Sequence, residues 1–337
     1  MRLYSAFALT LLAVAAVPVA AQDRSDATPS RHGIAVGNHP NVSGLRFNFR
    51  DRGLQQVRGA NFTIWSPYDE PIGTVRGLAF GAPVTAAGSI NGIATGLFGV
   101  GATHDLTGIG LAPVGIGAGG LLKGIMAGGI GVGAGGDLQG LAIGGIGAGV
   151  GGNARGILAG GIGAGAGGDF RGIAAGGIGV GAGGNARGIL VGGIGAGVGG
   201  DLRGIGVSGV GLGAGGSLRG IGLSIIGIGA GNSIDGLAIA GIGIGAPTIR
   251  KVAIASMVGA SRMDGLIIAP VLSRLEKGGH MHGASVSAVN AMRGEQRGLT
   301  IGIVNYAREL DGMQIGVINI AQNSSLKFLP LVNYKRK

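Results

Sequence analysis

The chain has 337 residues, of which 80 are Gly, 10 Pro and none Cys, and a formal net charge of +11. Without Cys there is no disulfide framework, no thiolate metal site and no residue to acylate as a lipoprotein anchor. So much Gly first suggests collagen or low complexity, but Gly does not fall on every third residue. Ile, Leu, Val and Ala are also too abundant and too regularly placed for a disordered chain.

Met1-Arg2 gives a short positive start, Phe7 to Val19 is an apolar run, and Val19-Ala20-Ala21 offers small residues for cleavage before Gln22. This predicts a secretory signal peptide over residues 1–21. The apolar run falls short of the ~20 residues a membrane span needs. Residues 22–32 are polar and read as a linker. The expected location is exported: the cell surface, outer membrane or periplasm of a bacterium.

Residues 33–106 carry an irregular form of the repeat that becomes regular from Thr107 onward. Gly44 to Phe49 and Gly59 to Trp65 alternate apolar and polar, and the sole Trp lies here. Terminal units of a repeat array are atypical because one face has no neighbour, so this stretch is expected to be irregular repeats with a cap.

Residues 107–250 are nine sixteen-residue units, from Thr107 to Arg250. The unit Arg171 to Ala186 is representative. Ile173 and Ala175 share one parity; after Gly176-Gly177, Ile178, Val180 and Ala182 share the other. Side chains alternate along a strand with period two, so a corner at the doubled glycine would bring both groups to one interior. Gly183-Gly184 would make a second corner. Two short strands and two corners per unit predict an all-β fold, a parallel β-solenoid with 16-residue coils stacked at ~4.8 Å. Paired Gly would supply φ > 0 at the corners. Gly179 and Gly181 lie within a strand and predict a flat outer face that packs against something.

Polar residues recur with the same period. Arg155, Arg171, Arg187, Arg203 and Arg219 occupy one position; Asp137, Asn153, Asp169, Asn185 and Asp201 occupy another. The Asp/Asn alternation has a thirty-two-residue period, the scar of a duplication or the mark of a hairpin. The hairpin keeps open an antiparallel outer-membrane β-barrel, for which sixteen residues suffice as a ~10-residue strand plus turn.

Residues 251–337 loosen into irregular C-terminal repeats. Pro270 and the stretch Glu276 to His280 read as loop. Two clear units then appear, Gly298 to Ala307 and Gly312 to Ala321, with Leu299 and Ile301 on one parity and Val304 and Tyr306 on the other.

Chemical motifs are weak. The Gly-x-Gly strings recur in every unit, whereas a dinucleotide fingerprint is a single strand-to-helix turn. Calcium-binding Gly-rich repeats have a nine-residue period. His280 and His282 flank Met281 near Glu276, too little for a metal site, and Ser285 lacks a spaced triad. No catalytic, cofactor-binding or metal residue is assigned, no cofactor is expected, and an enzyme is not expected. The spread cations serve solubility. Nucleic acid is not expected as a partner, because the repeats lack the aromatics that stack bases.

The unit Gly312-Met-Gln-Ile-Gly-Val-Ile-Asn-Ile-Ala321 resembles the tandem motif of the bacterial surface repeat-containing proteins, Gly-aliphatic-Gln-Ile-Gly-aliphatic-aliphatic-Asn-aliphatic-Ala. Gly298 to Ala307 departs by Thr300 for Gln, and Phe328 to Asn333 is similar to the family's close. The likeness covers the last quarter of the chain or less. It implies an exported envelope protein, with no catalytic residues to carry over. The expected role is structural, adhesive or self-associating, with cell-envelope components or further copies as partners and membrane association possible. The alternatives are the outer-membrane β-barrel and a solenoid binding glycans on its flat face.

Overall fold

A computed structural model describes residues 30–336. The signal peptide expected at residues 1–21, and the linker up to residue 29, lie outside the described residues. The described chain is all-β. Short strands wind into coils stacked along one axis, and each strand pairs in parallel with its counterpart in the next coil. Counterparts are sixteen residues apart from Ile90↔Leu106 through Leu218↔Ile234. The step shortens to fifteen at Ile234↔Ile249 and fourteen at Ile249↔Met263. The solenoid is therefore formed, and the antiparallel barrel is not. Antiparallel pairing occurs where Phe328–Lys335 folds back on Gly312 to Ile320, covering the edge of the last coil.

One coil comprises a seven-residue strand, Phe170–Gly176, and a four-residue strand, Gly179–Ala182. The chain bends at Gly177-Ile178 and at Gly183-Gly184, so both doubled glycines stand at corners. A third bend lies inside the longer strand at Gly172, where φ is +138°. The positive φ expected of the paired glycines is found here instead, in one column that includes Gly156, Gly188 and Gly204. A Cβ on Gly172 would stand 1.9 Å from the carbonyl oxygen of Gly156 in the coil before. At the corners the constraint is contact: a Cβ on Gly177 would stand 2.1 Å from the Gly161 oxygen.

The core differs from the sequence expectation. Phe170, Ala174, Gly176, Val180 and Ala182 point inward, all of one parity, whereas Ile173 is 44% exposed and Ile178 50%. The parity switch is absent because Ile178 sits in the bend itself and faces out. Large and small inward residues complement one another across the long strand: Leu158 with Ala154, Phe170 with Ala174, and Leu202 with Gly206. A Cβ on Gly206 would lie 2.7 Å from Leu212 Cδ1 and 2.9 Å from Leu202 Cδ2. This is close packing by complementary volume. Branched residues suit the outer pleated surface, where neighbouring strands stack them in register.

At both ends the interior becomes partly polar while many aliphatic and aromatic residues face out. In the N-terminal coils Arg46 is fully buried. It hydrogen-bonds to Asp51, to Asn61 Oδ1 at 2.9 Å and to the His39 carbonyl oxygen at 3.0 Å. Leu45, Phe47 and Phe49 on the same strand are exposed, and Phe47 stacks on Phe62 at 5.0 Å between ring centroids. In the C-terminal coils Asn290 Nδ2 donates to Asn305 Oδ1 at 2.7 Å, and Asn305 Nδ2 to Asn319 Oδ1 at 2.8 Å. Gln314 Nε2 donates to Gln296 Oε1 at 3.1 Å beside this ladder. Leu299, Ile301, Val304 and Tyr306 are outside it. The stretches read as loop, Pro270 and Glu276 to His280, belong to one extended run, Met257–Ala321, that rounds its corners without leaving the ladder. Gly278, at φ +73°, makes one such turn.

Candidate interaction surfaces

Two polar columns run side by side along one edge of the rod. In the first, Asp137 Oδ1 accepts the backbone N–H of Asn153 at 2.7 Å, and Asn153 Oδ1 accepts that of Asp169 at 2.9 Å. Asp169 Oδ1 then accepts the N–H of Asn185 at 2.7 Å, and Asn185 Oδ1 that of Asp201 at 2.9 Å. Each side chain caps the corner of the following coil. The alternation has a physical role, since Asn185 Nδ2 also donates to Asp169 Oδ1, at 3.3 Å. An unbroken Asp column would place carboxylates ~4.8 Å apart along the stack and repel. The thirty-two-residue period marks this relief, and no hairpin is formed.

In the second column Arg155, Arg171, Arg187, Arg203 and Arg219 pair in register on five consecutive strands. Like charges directly opposite one another on neighbouring strands are destabilising. Relief by Asp is slight: Arg203 lies 3.7 Å from Asp201, and among the described residues Arg155, Arg171 and Arg187 have no ion pair. Between the columns runs a groove of about 550 Å³, lined from Asp137 to Arg203.

In the regular coils the remaining outward positions are mostly apolar. Ile157, Ile173, Ile189, Ile205 and Ile221 stack in register on the long strand, exposed or half-exposed. A second column is exposed at the corner, where the Ile178 N–H bonds to the Ile162 carbonyl at 2.7 Å and that of Ile194 to Ile178 at 2.8 Å. Beyond the corner come two columns of outward Gly, represented by Gly179 and Gly181. Their nearest neighbours, 3.9 and 3.6 Å from a built Cβ, leave room for a side chain. The flat, side-chain-free face anticipated in the sequence is present; close approach by this chain's own backbone does not explain it.

The singled-out C-terminal residues do not converge. His280 and His282 are exposed on either side of buried Met281. His280 Nδ1 lies 3.1 Å from Glu295 Oε2, Glu295 pairs with Arg297, and Arg297 reaches Asp311 at 3.2 Å. Glu276 instead accepts a hydrogen bond from Ser261 at 3.1 Å. Ser285 is buried and donates to Asn290 Oδ1 at 2.7 Å. Sequence reasoning missed the buried Arg46 cluster and the Asn ladder. Asn290, Asn305 and Asn319, spaced near one coil length, were the signal for the second; nothing local announces the first.

Compared with known protein families, with curated proteins and with solved structures, the chain matches none.

Proposed function

We propose that the protein is a non-enzymatic, exported surface or envelope rod that works by covering its apolar flank, chiefly against further copies of itself. The observation that carries this reading is the partition of side chains. Ile173 and Ile178, with their equivalents, face outward, while Arg46, Asn305 and Gln314 are buried. From strand spacing and rise, the aliphatic and glycine columns over eight coils span roughly 900 Å². A soluble monomer leaves about 300–600 Å² in its largest apolar patch, and a stable interface takes about 800 Å² from each partner. The outward glycines let a second backbone approach closely, and branched aliphatics beside them supply burial at ~25 cal/mol per Å². The segment at residues 1–21 supports export. The resemblance of Gly312 to Ala321 to the bacterial surface repeat motif supports the envelope.

Two measurements test it. Fractionation of producing cells should place the protein with the envelope or medium; retention in the cytoplasm overturns the location. Sedimentation velocity should find assemblies that Ile162→Lys, Ile178→Lys and Ile194→Lys together reduce to monomers with the fold intact. A wild-type chain that is monomeric at tens of micromolar without lipid or detergent overturns self-association.

A further inference from the structure

We infer that the polar groove between the arginine and Asp/Asn columns binds a linear acidic polysaccharide, laid along the rod axis with its carboxylate or sulfate groups on the arginines. It rests on the surface placement proposed above only for where the polymer would be met.

The groups needed are built and unspent. Among the described residues Arg155, Arg171 and Arg187 hold no ion pair, although each stands opposite a like charge on the neighbouring strand. The nearby carboxylates keep their charge but do not pair closely with the column: among the described residues only Asp201 comes within ion-pair distance, 3.7 Å from Arg203. Oδ1 of Asp137, Asp169 and Asp201 is committed to the backbone of the next coil, and Asn takes the alternate positions. The groove lining holds four arginines, Arg155, Arg171, Arg187 and Arg203, against three aspartates, Asp137, Asp169 and Asp201, so the groove keeps a small excess of positive charge, gathered on its arginine edge. The same constellation recurs on each coil, which suits a chain of repeating units better than a single compact anion. The lining crosses five coils, about 20 Å at the strand spacing.

The chemistry selects among polyanions. A guanidinium presents a planar fork matched to carboxylate or other oxyanions. The facing Asp and Asn side chains offer acceptors and amide donors suited to ring hydroxyls. A nucleic-acid strand fits less well. In a duplex the charges of each strand repeat every ~3.4 Å along the axis, out of step with the ~4.8 Å of the coils. The one aromatic in the groove lining, Phe170, is buried and offers no stacking platform. Binding at a lipid surface is a separate outcome, which the vesicle arm of the test distinguishes.

The test uses the full chain and five probes: polygalacturonate, a sulfated linear glycan, a neutral linear glucan, oligothymidylate and phosphatidylglycerol vesicles. Expected is salt-sensitive binding of one or both acidic glycans, none of the neutral glucan, and at least a tenfold loss of affinity in Arg171→Gln/Arg187→Gln. Arg171→Lys/Arg187→Lys should retain part of the binding, because charge remains but the fork does not. These side chains are exposed, and unfolding curves will confirm that the variants fold. The inference is overturned if neither acidic glycan binds, if the Gln variant binds as the wild type does, or if oligothymidylate or vesicles bind more tightly. Failure of the surface reading would appear in cell fractionation and leave these affinities unchanged.

Discussion

Asp169 Oδ1 accepts the backbone N–H of Asn185, sixteen residues on, at 2.7 Å, and the amide of that same Asn185 donates back to it at 3.3 Å. One acidic side chain thus holds the corner of the next coil by two bonds. Asp169→Ala should cost about 1–2 kcal/mol, the range for a lost hydrogen bond to a charged acceptor at a partly hydrated site. Asp169→Asn keeps an acceptor oxygen and should cost less than half as much. Urea unfolding midpoints of the two variants check the ordering.

The glycines divide into two kinds. Gly188→Ala, at φ +132° and with its new Cβ 1.9 Å from the Gly172 oxygen, should destabilise by several kcal/mol or prevent folding. Gly181→Ala, with 3.6 Å of clearance, should leave the unfolding midpoint nearly unchanged and weaken self-association. Circular dichroism melts and sedimentation velocity separate the two effects.

Lys251 occupies the positive-φ column, between Gly236 and Gly265, at φ +79°. A non-glycine residue there costs about 1–2 kcal/mol, and its Nζ bond to Asp235 at 3.1 Å is a surface pair of small worth. Lys251→Gly should therefore stabilise the chain, by up to about 1 kcal/mol. A lower melting temperature would refute the strain argument.

Asn305 is fully buried in the amide ladder, accepting from Asn290 and donating to Asn319. Asn305→Leu strands both neighbours in a dry interior and should cost about 2–4 kcal/mol. Replacing Asn290, Asn305 and Asn319 together by Leu should cost less than three times the single change. Hydrogen exchange of the C-terminal coils, compared with that around Phe170, is the measurement.

Period, parallel stacking and the corner role of the doubled glycines were legible in the sequence because each repeats in every unit. The inward set was not. Gly176 and Ala174 line the interior while Ile173 and Ile178 do not, and hydropathy ranks these residues in the opposite order. The deciding factor is cross-section, a property of the closed coil that no single strand displays. The polar interiors escaped for a related reason: Arg46 becomes buried only through Asp51 and Asn61, which reach it from the end of its strand and from the next coil. The polar columns were visible as periodic residues, but the groove between them exists only once the strands are in register.

Since counterparts from Ile90 to Ile234 stand at a constant sixteen-residue step, deleting or duplicating one unit reconnects the stack without altering either terminus. Each such event changes the reach of the molecule by ~4.8 Å, like a rule cut to length. Within the stretch from Asp137 to Asp201, Asp and Asn take turns, so units gained or lost two at a time would keep the alternation, whereas an odd number lost from inside it would set two carboxylates, or two amides, in adjacent coils. Length variants of this chain should accordingly differ there by even numbers of units.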